Sequence, residues 1–331
     1  MKTFTNPEGI FEIHIPIDWD YQNELYGYEN ESPFSFQPFK NPLGCFQISH
    51  YNKQQPNNKI FSSQGYFERN LKFEKTKIDQ NDGFVIILWG TWVKENFFMA
   101  KYIYRPLLVD EQLVLKEIDK AEECLKSLIF IEPQSRKQAI HFYRYEKFLS
   151  ALAATFDLTQ RAQENESSIE LIIIYASQID AYLRLCIVLK YQIIEKSNLF
   201  KIKYLYQDKT DKAITEKRIY KEAHDMGIIS TEIYDFLFNL YAERNKIVHR
   251  YIISDIKTLI LDEIAEKYEM MTEAVRLILA GIEKEQFENH TGYYGRKNPH
   301  IDKNMENADF LKSMVNEKHF SDKFYRQLPE K

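Results

Sequence analysis

Glycine and proline are scarce, with 10 of each in 331 residues. So few glycines leave little room for Gly-rich phosphate cradles, and neither GxGxxG nor GxxxxGKS occurs. Cysteine is scarcer still. Cys45, Cys124 and Cys186 are odd in number, far apart and form no CxxC pair, which argues against a zinc site and a disulfide framework and fits a reducing, cytoplasmic setting. Positive charge is not in excess. A net charge of -5 argues against a protein that coats nucleic acid non-specifically, while leaving room for a local basic patch. No apolar run follows Met1-Lys2-Thr3-Phe4, so no signal peptide is expected. The longest apolar stretch, Leu171 to Tyr175, is too short to span a bilayer, so no membrane partner is expected either. His14, His50 and His141 fit no ligand spacing, and neither a metal nor a cofactor is expected.

What is abundant is apolar material. Hydrophobic residues make up 44% and aromatics 15%, enough for a core in each of two domains. The first domain, expected over residues 1–132, reads as α+β with an antiparallel sheet. Phe11, Ile13, Ile15 and Ile17 recur with period two, as do Phe34 and Phe36, and Phe46 and Ile48. A short helix is expected around Gly65 to Leu71, then a turn at Asn81-Asp82-Gly83. Runs over Phe84 to Val93 and Phe97 to Tyr104, parted by a turn near Lys94-Glu95-Asn96, predict a hairpin. Leu113, Leu115, Ile118, Ala121, Leu125 and Leu128 predict a helix over Asp110 to Ser127, with a short strand at Ile129-Phe130-Ile131. Pro133 marks the boundary.

The second domain, residues 137–288, reads as an all-α bundle, and residues 289–331 as a polar tail with a short helix near Asn307 to Val315. Ser167-Ser168-Ile169-Glu170 has the form of a capping box at the head of a long apolar helix. Gly227 reads as a helix stop and Ser230 as the next N-cap. That next helix carries Tyr234, Leu237, Leu240 and Tyr241 into Arg244-Asn245-Lys246-Ile247-Val248-His249. The residue types in this segment suit metal-independent RNA cleavage. A histidine with an ordinary pKa of ~6.5 serves as acid or base at neutral pH. An arginine fork matches phosphate oxygens, and an asparagine orients either group. Arg244 and His249 are five apart, about 140° on a helical wheel, whereas Asn245 and His249 share a stripe. A site using all three therefore needs a bent helix end or two helices meeting at a dimer two-fold.

The segment is similar to the R-x4-6-H motif of the HEPN superfamily. The preceding Gly227-Ile228-Ile229-Ser230 and amphipathic helix also resemble that family, as does an earlier apolar helix bearing one acid, Asp180. The likeness covers residues 137–287. It implies an all-helical domain, usually dimeric, and often an endoribonuclease of toxin–antitoxin, CRISPR or phage-defence systems. In that reading the chain acts on RNA as a homodimer through the helical domain, restrained by an antitoxin or trigger protein. His249 is the acid or base, Arg244 stabilises the phosphate and Asn245 positions one of them. Asp180 is the expected partner of Arg244. His249-Arg250-Tyr251 matches an R-x4-H-x-Y version in which the tyrosine is modified with AMP, which makes Tyr251 the candidate here.

A basic, aromatic run over Lys201 to Lys221 includes Lys217, Arg218 and Lys221. With Lys246 and Arg250 these form an expected RNA path, on which Tyr204, Tyr206 and Tyr220 would stack bases. The alternative is a non-catalytic dimerisation or partner-binding domain, in which Arg244 and His249 serve the helix C-terminus. The N-terminal domain is similar to a PsbP-like α/β/α sandwich, including its Ile15-Pro16-Ile17-Asp18-Trp19 strand end, a likeness that implies sensing or interaction.

Overall fold

The computed structural model describes residues 1–28, 30–52, 66–67, 70–79, 83–108, 110–207 and 211–296. The described residues divide into two compact units, 1–143 and 144–296. The first holds an antiparallel sheet region and the second is helical.

In the first unit, β1 (Lys2–Thr5), β2 (Phe11–Ile15) and β3 (Trp19–Tyr21) are followed by β4 (Phe34–Pro38) and β5 (Gly44–Asn52). Then come β6 (Tyr66–Phe67), β7 (Asn70–Leu71), β8 (Glu74–Asp79), β9 (Val85–Val93) and β10 (Asn96–Tyr104). Helix α1 (Glu111–Ser127) and β11 (Ile129–Phe130) complete the unit's main elements. One sheet has the order β1-β2-β11 and a six-stranded sheet the order β3-β4-β5-β10-β9-β8, all pairs antiparallel. The period-two alternation holds through Ile15 but not to Ile17, which is half-buried and lies past the end of β2: Phe11, Ile13 and Ile15 are fully buried, and Phe34, Phe36, Phe46 and Ile48 face the core. Burying each such side chain contributes about 1.5–3 kcal/mol. That layer outweighs any single polar contact around it.

The β9–β10 hairpin turns on Lys94-Glu95, with Lys94 at φ 55°. Three expectations are revised. Tyr66–Phe67 and Asn70–Leu71 pair as strands where a helix was expected. The buried stripe of α1 is Val114, Ile118, Ala121 and Leu125, while Leu113 and Leu115 are exposed. Steps of four, three and four keep the first set on one face, which Leu113 and Leu115 flank. Strand β8 was not anticipated. Asn81 and Asp82 of the expected turn lie outside the described residues, as does the tail beyond residue 296.

Helix α2 (Pro133–Glu164) starts with Pro133 in its first turn, where the missing N–H costs nothing. The second unit continues with α3 (Ser168–Glu195), α4 (Glu216–Asp225), α5 (Thr231–Arg250) and α6 (Thr258–Glu288). Helix α3 is the centre, packed mainly on α6 and also on α4 and α5. By length and composition it could cross a membrane, and 61% of its most apolar window is buried. That share suits a core helix, and the length of its contiguous apolar run had understated it.

The scarcity of glycine shows at the helix ends. Helices α2, α3, α4 and α6 all close with paired 6→1 and 5→2 backbone bonds around a left-handed residue. Only α4 has glycine there, Gly227 at φ 67°; the others use Glu166, Lys196 and His290. The α2 closure also explains why the capping box does not form. The Ser167 N–H donates to the Ala162 carbonyl, so Glu170 cannot claim it, and the Ser167 side chain makes no cap bond. Ser168 instead donates to Asp262 of α6. Ser230 does cap α5, accepting from the Ile233 N–H at 3.4 Å.

Candidate active site

Helix α5 runs unbroken to Arg250, then tightens into a 3-10 turn over Tyr251–Ile253. Its buried residues are Leu237, Leu240 and Ile247. Arg244 falls on the same stripe, four after Leu240 and three before Ile247, so the helix turns it inward. There Arg244 donates to Glu216 of α4 at 2.6 Å and to the Asn245 side-chain oxygen at 3.3 Å. Its guanidinium carbon sits 4.8 Å from the Tyr241 ring centre. Burial lowers the Arg244 pKa, but Glu216, helped by Tyr268 and Tyr220, more than reverses this and holds it above its ordinary value. The other Glu216 oxygen accepts from the Tyr220 hydroxyl, one turn along α4. Glu216 is thus held from both sides and fixes Arg244 from across the α4–α5 contact.

Asp180 does not pair with Arg244. It accepts from Arg184, one turn on along α3, at 2.6 Å. Arg184 also donates to the carbonyls of Tyr204 and Ile214, at 3.3 and 2.9 Å. Burial raises the Asp180 pKa above the ordinary carboxylate value despite Arg184, with Arg244 acting on it only at longer range. Among the described residues the second Asp180 oxygen and the Tyr268 hydroxyl are buried without a hydrogen-bond partner. A polar cluster of two acids, two arginines and two tyrosines therefore lies behind the motif.

His249 faces the opposite way. It is exposed and has no hydrogen-bond, ion-pair or ring partner among the described residues. Lys246 and Arg250 are exposed beside it. Around them lies apolar surface: Val248 is 50%, Tyr251 42%, Ile252 94%, Ile253 81% and Leu259 69% exposed.

The basic run is only partly free. Arg218 and Lys221 are exposed. Lys217 is exposed too but lies over the Phe238 and Tyr241 rings at 4.6 and 4.7 Å. Lys201 pairs with Glu195 at 2.5 Å. Tyr204 and Tyr220 are buried and bonded to Glu222 and Glu216, so neither can stack on a base. Tyr206 lies under the Arg144 guanidinium, 3.5 Å from ring centre to carbon. Burial decided the fate of Tyr204 and Tyr220, which lie on the inner faces of a 3-10 turn and of α4. Among the described residues no group of three or more His, Cys, Asp or Glu side chains is placed to hold a metal.

Glu216 and Arg184 are the residues that sequence reasoning missed. Asp180–Arg184 is an i,i+4 pair and could have been read locally. Glu216 lies 28 residues before Arg244, and no local signal links them.

No family model matches the chain, and no curated protein matches it. Among solved structures, the chain is similar to a protein from Bacteroides thetaiotaomicron VPI-5482, a crystal structure at 1.50 Å resolution. The two share 15% identity over 53% of this chain and 69% of the other, with a TM-score of 0.28, too low to carry an argument about fold or function.

Proposed function

We propose that the helical unit is a HEPN-like, metal-independent endoribonuclease that works as a homodimer, most plainly as a toxin or phage-defence effector. The observation that carries this reading is the pairing of an unengaged, exposed His249 with an apolar surface at the same helix end. In a dimer that buries Val248, Ile252 and Ile253, the two His249 side chains would sit at the edge of a shared cleft. There His249 serves as acid or base, and Arg244, held by Glu216 and Asn245, presents charge to the phosphate. Lys246, Arg250, Arg218 and Lys221 supply the basic approach for RNA. Tyr251, 42% exposed, remains open to modification by a partner antitoxin.

The test is incubation of purified protein with total RNA in EDTA. Cleavage is expected from the wild type and not from His249→Ala. Ile252→Asp is expected to give monomers by sedimentation and to lose cleavage as well. Intact RNA with the wild type, or equal cleavage by His249→Ala, sinks the proposal.

A second reading has its own support. Arg244 is already paired at 2.6 Å with Glu216, and the two side chains are only 19% and 14% exposed. In a non-catalytic dimerisation or partner-binding domain, that pair would be purely structural. Dimers that form normally but leave RNA intact would favour this reading.

A further inference from the structure

The sheet-bearing unit contains a cavity of about 420 Å³ that the helical motif does not involve. Its floor follows from strand alternation. Because Phe34, Phe36, Phe46 and Ile48 point into the core, Ser35, Gln37, Cys45 and Gln47 stand on the other face of β4 and β5. Gln22, just after β3, joins them. The wall is made by Tyr26, Tyr28, Glu31, Ser32 and Pro33, and Asn23 braces it. Its amide nitrogen donates to the carbonyls of Glu31 and Pro33, both at 2.9 Å, and its oxygen accepts from the Ser35 N–H at 3.0 Å. The site is therefore preformed, and its volume lies in the usual range for small-molecule sites, about 300–1,000 Å³.

The lining narrows the ligand. Among the described residues no Lys, Arg or His lines the cavity, so no cation there would pair with a phosphate or carboxylate. Glu31 is the one acid in the lining among the described residues and cannot hold a metal alone. The apolar lining, from Tyr26, Tyr28, Pro33 and Cys45, is interleaved with amides and hydroxyls, which suits a ligand with both C–H faces and polar groups rather than a bare hydrocarbon. What remains, with Asn23 committed to the wall, is three glutamine carboxamides and two exposed aromatic rings. Gln47 donates to Ser35 at 3.0 Å and Gln22 to the Asp20 carbonyl at 3.3 Å, which leaves both side-chain oxygens able to accept. Gln37 has no partner among the described residues and offers both donor and acceptor. Tyr26 and Tyr28 are 71% and 56% exposed at the rim. An aromatic face takes the C–H face of a sugar ring, while carboxamides match paired hydroxyls as donor and acceptor at once.

We propose that this cavity binds a neutral mono- or disaccharide, held by Gln22, Gln37 and Gln47 with a ring face against Tyr26 or Tyr28. This is independent of the ribonuclease reading. The full chain should be examined by saturation-transfer NMR with glucose, galactose, mannose, N-acetylglucosamine, maltose and cellobiose, and with adenosine as a non-saccharide comparison. Transfer to the ring protons of at least one sugar is expected. Calorimetry with that sugar should show at least about a tenfold loss of affinity for Gln37→Leu and for Tyr26→Ala, both with unchanged Tm. No transfer to any of the sugars overturns the proposal. So does transfer to adenosine alone, or sugar binding that neither variant weakens.

Discussion

The two sides of α5 carry the same six-residue motif into opposite environments. On the inner side Arg244 lies among Leu237, Leu240 and Ile247 and is bound to Glu216. On the outer side His249 stands free beside Ile252 and Ile253, isoleucines that are 94% and 81% exposed. The inner side is complete within one chain. The outer side is apolar where a monomer gains nothing from being apolar, so it is unfinished until something covers it. The difference teaches that one helix sets its motif in two environments, one closed within the chain and one open, so mutations on the two sides should differ in their effect on the stability of the single chain.

The largest effect expected tests whether the two sides meet across a dimer. Arg244→Lys keeps a charge for Glu216 but loses the fork, and His249→Ala loses the acid or base. Each alone should lose RNA cleavage by about 10²-fold or more. If one cleft takes Arg244 from one protomer and His249 from its partner, remixing the two variants restores one good site per mixed dimer. Activity should return to about a quarter of wild type, since half the dimers are mixed and each has one of two sites. No recovery would place both residues of a site in one protomer.

The next effect is on stability. Leu240→Ala, on the inner side and 2% exposed, should cost about 2–5 kcal/mol by urea denaturation. In the monomeric Ile252→Asp background, where no second copy covers the outer side, Val248→Ala, 50% exposed, should change stability by no more than about 0.5 kcal/mol. Comparable losses at both positions would mean that the two sides do not differ as described. Smaller than the Leu240 loss is the effect of Glu216→Ala. The pair it breaks is neither fully buried nor on the surface, and about 2 kcal/mol is expected, between the limits for those two cases. Glu216→Gln should recover part of that, because the amide can still accept from Arg244.

Much of this contrast was legible in the sequence. The alternation of Phe34, Phe36, Phe46 and Ile48 placed the sheet, Gly227 and Ser230 placed the start of α5, and the five-residue spacing of Arg244 and His249 set them on different faces. What was not legible came from contacts distant in sequence or from competition for one N–H. The Glu216–Arg244 pair joins two helices, and nothing near either residue announces it. The capping box at Ser167 had the right residues, but the α2 closure takes the Ser167 N–H first. The tyrosines at 204 and 220 looked available beside lysines, yet burial and acidic partners claimed them.

The smallest effect expected probes the cluster behind the inner side. Burial raises the folded-state pKa of Asp180, with Arg184 pairing opposing it and Glu216 and Arg244 adding smaller effects of opposite sign. A carboxyl with a raised folded pKa holds its proton more tightly folded than unfolded. Its contribution is fully present below the unfolded carboxylate value, near ~4, and is lost as pH rises through the raised value. Asp180→Asn fixes the uncharged form and removes that dependence. Between pH 4 and pH 7 the wild type should therefore lose more stability, or gain less, than the variant, when both are compared by urea denaturation at each pH. Partial exposure of Asp180, 24% at the side chain, and the nearby Arg184 keep the difference small. If the variant instead loses more stability than the wild type as the pH rises, the Arg184 pair outweighs burial, and Asp180 would be held as a stabilising carboxylate behind the motif.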